Sequence, residues 1–173
     1  MIDMVSANTA KLVLHTDGAA RGNPGPAGAG GEIRNADGKL LAEVSEYLGE
    51  ATNNVAEYKA LILTLERALL FNPKEIEVRA DSELLVKQLR GEYKVKNEGL
   101  KPLHKRIKIL AADVKKFEVR HVYRSENAHA DELANMAIDA YQSGDPTFGR
   151  GQGRDSNTQR AANLDEFEQE SLF

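Results

Sequence analysis

Apolar and polar positions along the chain alternate in two different rhythms, and the changes of rhythm mark the elements. Leu12, Val13 and Leu14 form a short β-prone run that ends at Thr16-Asp17-Gly18. The Gly/Pro-rich stretch Arg21-Gly22-Asn23-Pro24-Gly25-Pro26 then breaks the chain. Residues 28–34 and 40–48 read as strands around Asn35-Ala36-Asp37-Gly38, whose Asp-Gly pair is a strong hairpin signal. These first three elements predict an antiparallel meander. Thr52-Asn53-Asn54 offers N-cap oxygens to a helix over residues 55–70, rich in Ala, Leu and Glu and closed by Asn72-Pro73.

Residues 75–80 return to strand character through Ile76 and Val78, and residues 82–89 read as a short helix stopped near Gly91. Leu103, Ile107, Leu110 and Val114 recur at helical spacing within 100–115, residues 117–123 alternate as a strand, and 127–141 read as a final helix. The order β-β-β-α-β-α-α-β-α predicts an α/β fold: a five-stranded mixed sheet, three strands antiparallel and then two parallel, flanked by helices. If the helix over 55–70 carries the crossover, the strands ending at Thr16 and Ala80 become neighbours.

Composition narrows the class. The 173 residues include no Cys and no Trp and carry a formal charge of -4. Without Cys there is no thiolate metal site, thiol nucleophile or disulfide, which suits a reducing compartment. No apolar run is long enough to cross a membrane and no basic-then-apolar leader opens the chain, so a cytoplasmic protein without membrane contact is expected. The charge argues against a protein that coats nucleic acid nonspecifically but leaves room for a nuclease with a local basic patch. Most of the acidity lies at the end, where Arg150, Arg154 and Arg160 face Asp145, Asp155, Asp165, Glu166, Glu168 and Glu170. Residues 142–173 therefore read as a disordered acidic tail, behind a domain over 11–141 and a short extension over 1–10. The tip of the tail sets Leu164, Phe167, Leu172 and Phe173 among acids, the composition of a short docking peptide for a protein partner, though a plain solvated end is the more ordinary reading of a terminus.

Four acids stand where a purely structural plan would not put them. Asp17 and Asp81 each close a β-run, the place where open α/β sheets put ligands. Glu57 shares the apolar stripe of its helix with Leu61, Thr64 and Leu65, and Asp131 aligns with Ala134 and Ile138. Carboxylates turned inward are costly unless something positive compensates them, and neither stripe carries Lys or Arg. A divalent cation would do so, and an all-oxygen donor set suits Mg²⁺ or Mn²⁺. Singly, each acid is equally explained as a turn residue or a first-turn acid favoured by the helix dipole.

These segments resemble the type 1 ribonuclease H family. The run from Thr16-Asp17-Gly18 through Gly22-Asn23-Pro24-Gly25-Pro26 to Gly28 resembles the family's TDG-x3-GNPGP-x-G opening. Thr52-Asn53-Asn54-Val55-Ala56-Glu57 resembles its TNN-x2-E helix start, Ala80-Asp81-Ser82 its strand end, and Asn127 to Ala134 its N-x3-D-x-LA helix. The likeness spans about residues 11–140, with the motifs in order. It implies that Asp17, Glu57, Asp81 and Asp131 hold two Mg²⁺ or Mn²⁺ ions when substrate is bound, and that the enzyme cuts the RNA strand of RNA–DNA hybrids to leave 5′-phosphate and 3′-hydroxyl ends. It also implies substrate contacts from Gly18, Asn23, Thr52, Asn53, Asn54 and Ser82, though helix capping is an equal explanation for Thr52. A monomer is expected.

Two departures set this sequence in a particular branch. The loop before Asp131 carries Arg124 in an R-x2-N arrangement where many members have a histidine, and arginine can hold a phosphate but cannot shuttle protons near neutrality. His129 is either a replacement proton carrier or a surface histidine. The segment between Gln88 and His104 is too short for the long basic protrusion of some members. Lys94, Lys96, Lys101, Lys105, Arg106 and Lys108 keep it positive, with Tyr93 as its one aromatic. Weaker hybrid affinity follows. The competing reading is a hybrid-binding adaptor of the same fold with little turnover.

Overall fold

The computed structural model describes residues 8–144. The first seven residues of the extension and the tail from residue 145, with its expected disorder and docking tip, lie outside the described residues. Five strands form one sheet in the order β3-β2-β1-β4-β5: β1 Lys11–Ala20, β2 Gly25–Asn35, β3 Leu40–Ala51, β4 Glu75–Ala80 and β5 Lys116–His121. The meander pairs antiparallel, while β4 lies parallel to β1 and β5 parallel to β4. The helices are α1 Asn53–Leu69, α2 Glu83–Leu89, α3 Lys101–Ala111 and α4 Ala128–Ser143, the last entered through a 3-10 turn at Arg124–Asn127.

Alternation along β1 decides which face each residue serves. Leu12 and Leu14 are fully buried and pack with Ile33, Leu61, Leu65, Val78 and Ile107 in the main core between the sheet, α1 and α3. The intervening His15 and Asp17 belong to the opposite face. Two consecutive glycines of β2 reveal how the second layer is added. A Cβ at Gly31 would overlap the Thr64 side chain of α1, and one at Gly30 would overlap the Ala130 carbonyl of α4. Neighbouring residues of a strand point to opposite faces, so α1 and α4 sandwich the sheet, each seated directly on backbone.

The structure moves several element boundaries. β1 does not stop at Thr16 but runs to Ala20, because its antiparallel partner β2 continues pairing to Ala20↔Ala27 after parallel pairing with β4 ends at Thr16↔Ala80. Asp17 is therefore inside a strand, opposite Gly30, and at the end only of the parallel ladder. α3 ends at Ala111, and Val114 packs on the core from the turn that follows. α4 continues two residues past Tyr141 and is closed by Gly144 in the left-handed conformation.

Candidate active site

Asp17 on β1, Glu57 one turn into α1, Asp81 immediately after β4 and Asp131 in the first turn of α4 all line one cleft of about 580 Å³. Carboxylate oxygens of Asp17, Glu57 and Asp81 lie within 4.8 Å of one another. Asp131 lines the same cleft, near enough to Asp17 to help raise its carboxyl. The approach of β1 to α1 is close because residue 18 is glycine: a Cβ there would overlap the Ala56 carbonyl carbon and the Glu57 amide nitrogen. The Gly18 backbone N–H consequently lies close enough to the Glu57 carboxylate to favour its charged form.

The electrostatics are those of a site awaiting positive charge. Burial first, and then the adjacent Glu57 charge, push the Asp17 carboxyl up to about 10. Burial likewise pushes Glu57 up to about 8, against the hydrogen bonds from Asp17 and Gly18 and with the charges of Asp81 and Asp131 adding to it. Glu57 Oε2 is shielded from solvent and has no hydrogen-bond partner. A buried acceptor left unsatisfied is expensive, and a divalent cation is the partner that would satisfy it and offset the mutual repulsion of the acids. The donors are all hard oxygens, so the residues present fit Mg²⁺ or Mn²⁺.

The predicted substrate residues divide into two groups. Gly18, Asn53, Asn54, Ser82 and Arg124 line the cleft with the four acids. Asn23 and Thr52 stand outside its lining. Asn23 Oδ1 accepts from the Asn53 backbone N–H at 3.1 Å, and Thr52 Oγ1 caps α1 by accepting from the Val55 N–H at 3.2 Å. Ser82 caps α2 in the same way, accepting from Leu85 at 3.2 Å. His129 points away from the acids. Its Nε2 meets Glu43 Oε2 at 2.5 Å, and Glu132 and Glu32 lie within 4.0 Å of the ring. In the basic segment Lys101 pairs with Glu98 and Arg106 with Glu66, so part of its positive character is already compensated.

Sequence reasoning did not single out four residues that also line the cleft: Arg21, His121, Tyr123 and Asn135. His121 Nε2 lies 3.2 Å from the Asp81 carbonyl and meets the Tyr123 ring edge-on. Tyr123, 75% exposed, is an aromatic surface at the site itself, in addition to Tyr93. Asn127, the first residue of the N-x3-D motif, is buried and donates from Nδ2 to the Thr16 carbonyl at 2.8 Å, tying the start of α4 to β1 beside Asp17.

Comparison with known proteins places this geometry. Residues 15–137 match the family model described as "Reverse transcriptase-like". The chain is 44% identical over 131 residues to the Bifunctional protein Rv2228c of Mycobacterium tuberculosis, a match covering 75% of this chain and 36% of that protein. It thus spans about a third of the length of that relative. A protein named Ribonuclease H from Lachnoclostridium phytofermentans is 34% identical over 148 residues, covering 75% of this chain and 92% of its own length. Among solved structures, LC11-RNase H1 in complex with an RNA/DNA hybrid aligns with a TM-score of 0.73 and 47% identity over 76% of this chain and 99% of that one.

Proposed function

We propose that this chain, which belongs to the ribonuclease H family, is a divalent-metal-dependent endonuclease that hydrolyses the RNA strand of RNA–DNA hybrids. The observation that carries the reading is the convergence of Asp17, Glu57 and Asp81, with Asp131 beside them, in a cleft whose floor is the backbone at Gly18. Water adds across the phosphorus–O3′ bond, so that one product ends in a 5′-phosphate and the other in a 3′-hydroxyl. Two Mg²⁺ or Mn²⁺ ions held by these four acids would supply a water acidic enough to attack at neutral pH and a counter-charge for the departing oxygen.

The remaining roles belong to the chain itself. Asn53 and Asn54 present amide groups at the start of α1, where a side chain that both donates and accepts complements a ribose 2′-hydroxyl. Ser82, next in the chain to Asp81, offers its hydroxyl at the cleft. Arg124 stands exposed at the rim, suited to a backbone phosphate. Asn23 and Thr52 support this surface by holding and capping the first turn of α1, and a DNA-strand phosphate contact from them is part of the same proposal. His129, engaged with Glu43, serves as a brace for α4 in this reading rather than as a proton carrier. The adaptor alternative calls for loss of at least one acid, and all four are present.

The test is cleavage of an end-labelled RNA–DNA hybrid with Mg²⁺ or Mn²⁺, comparing the wild-type chain with Asp17→Asn. Metal-dependent cleavage by the wild type and none by the variant is expected. Equal cleavage by both, or none by the wild type, would contradict the assignment.

A further inference from the structure

Asparagine is a poor residue for a helix interior, yet Asn135 sits in the middle of α4, half-buried and on the wall of the cleft. Its side-chain amide is held from both sides. Nδ2 donates to the Asp131 carbonyl at 3.0 Å and to Asp131 Oδ1 at 3.4 Å. Oδ1 accepts from Arg21 Nη2 at 3.4 Å. A guanidinium has no acceptor and an ionised carboxylate no donor, so these neighbours dictate which end of the amide faces which.

Arg21 is itself fixed. Its backbone N–H donates to the Pro26 carbonyl at 2.8 Å, closing the Gly/Pro-rich turn, and a Cβ at Gly25 would overlap its carbonyl. Its guanidinium reaches across to α4, where Nη1 donates to Gln142 Oε1 at 2.6 Å and Nη2 pairs with Asp139 Oδ1 at 2.6 Å. The turn between β1 and β2 therefore presents one clamped guanidinium to one helix face, and Asn135 is the residue that carries this constraint to Asp131.

We infer that Asn135 is a positioning residue: oriented by Arg21, it sets the direction of the Asp131 carboxylate and so completes the metal-binding quartet. The inference rests on the proposed reading of the four acids. The Asn127 bond to Thr16 and the Gly30 contact fix where α4 sits on the sheet, but neither involves the Asp131 side chain, whose aim is set by Asn135. Partners that orient metal ligands typically contribute an order of magnitude or more to metal affinity.

The experiment is isothermal titration of the full chain with Mn²⁺ in the absence of substrate, for the wild type, Asn135→Ala, Asp131→Ala and the double variant, with a thermal melt of each. Asn135→Ala should weaken Mn²⁺ binding by about tenfold. Its melting temperature in the absence of metal should equal or exceed that of the wild type, because alanine is the better helix former. In the Asp131→Ala background the same substitution should change Mn²⁺ affinity little, since the group through which Asn135 acts is gone. Unchanged affinity in Asn135→Ala, an equal loss in the Asp131→Ala background, or a loss accompanied by a lower melting temperature would each overturn the positioning role. A wild-type chain that binds no Mn²⁺ would remove the reading of the four acids and this inference with it, a result distinct from wild-type binding that is insensitive to residue 135.

Discussion

Replacing Gly30 by alanine is expected to disable the site without touching any acid. The added Cβ would overlap the Ala130 carbonyl oxygen and lie 2.6 Å from the Ala134 amide nitrogen, both backbone atoms of α4 that no side-chain rotation can move aside. Ordinary contact between such atoms is about 3.5 Å, so relieving the overlap with the Ala130 carbonyl requires α4 to withdraw from the sheet by more than about 1 Å at this point. Asp131 follows Ala130 directly and travels with it. A displacement of about 1 Å of a group that must meet reacting atoms costs on the order of 100-fold in rate, and overpacking of this kind costs about 1–3 kcal/mol in stability. The assay pairs single-turnover cleavage of a hybrid at saturating metal with a chemical denaturation curve. The expected result is a rate loss much larger than the stability loss implies, in a chain that still melts cooperatively. Gly30→Ala with wild-type turnover would refute the claim that backbone contact at Gly30 sets the reach of Asp131.

Asp17→Asn should stabilise the metal-free protein while abolishing cleavage. Were both Asp17 and Glu57 ionised at a separation of at most 4.8 Å, they would repel by at least about 3.5 kcal/mol at an effective dielectric constant of about 20, so the folded chain keeps a proton on Asp17 that the unfolded chain releases. Because both carboxyls are raised in the folded state, the folded form holds the extra protons, and metal-free stability is fullest below about pH 4 and declines as pH rises through about 8 for Glu57 and about 10 for Asp17. The gain from Asp17→Asn should accordingly be absent near pH 4 and present at pH 8 in melts with EDTA; an equal gain at both would count against it. Glu77 has the opposite sign. It is buried, which works to raise it, but Arg79 at 2.7 Å and then Arg120 at 3.2 Å hold it below the usual carboxylate range. Glu77→Gln should cost about 2 kcal/mol at pH 7, a difference that shrinks as pH falls below about 4 and wild-type Glu77 protonates; a penalty undiminished at pH 3 by urea denaturation would contradict it. A chain truncated after Gly144, where α4 is capped, should cleave hybrid at the full-length rate, and an inactive truncation would show that the tail takes part.

The element types and the antiparallel-then-parallel plan of the sheet were readable because local periodicity marks each element and the chain order of the elements limits how they connect. Leu12, Val13 and Leu14 form an apolar β-prone run, and Leu103, Ile107 and Leu110 recur every three or four residues. The four acids were readable for a similar reason, since each interrupts a pattern with a residue that local structure does not require. What escaped was set by partners remote in the chain. Arg21 and Asn135 are 114 residues apart, and His121 closes, and Tyr123 follows, a strand whose end was placed two residues too late. One signal was available: asparagine at the centre of an Ala-rich helix carries a propensity penalty, which here its bonds to Asp131 and Arg21 offset. The extent of β1 escaped for another reason. A Gly/Pro-rich stretch reads as a break, but the glycines that weaken a strand in isolation are those that admit helix backbone in the fold.

That last point changes what the sequence encodes about the site. The acids supply charge, yet their spacing is written in residues that have no side chain. Gly18 brings Ala56 and Glu57 against β1, Gly30 brings Ala130 and thus Asp131 against β2, and Gly31 seats Thr64 of α1 on the other face. Asp17 and Asp81 are then related through the register Thr16↔Ala80 of the parallel ladder, which needs no glycine because neighbouring strands have a fixed separation. Two of the four acids are therefore placed by helix-on-backbone contact and two by sheet register. A chain that kept all four acids but carried alanine at residues 18 and 30 would retain the hydrophobic pattern and the sheet, and would hold its carboxylates too far apart to share a cation.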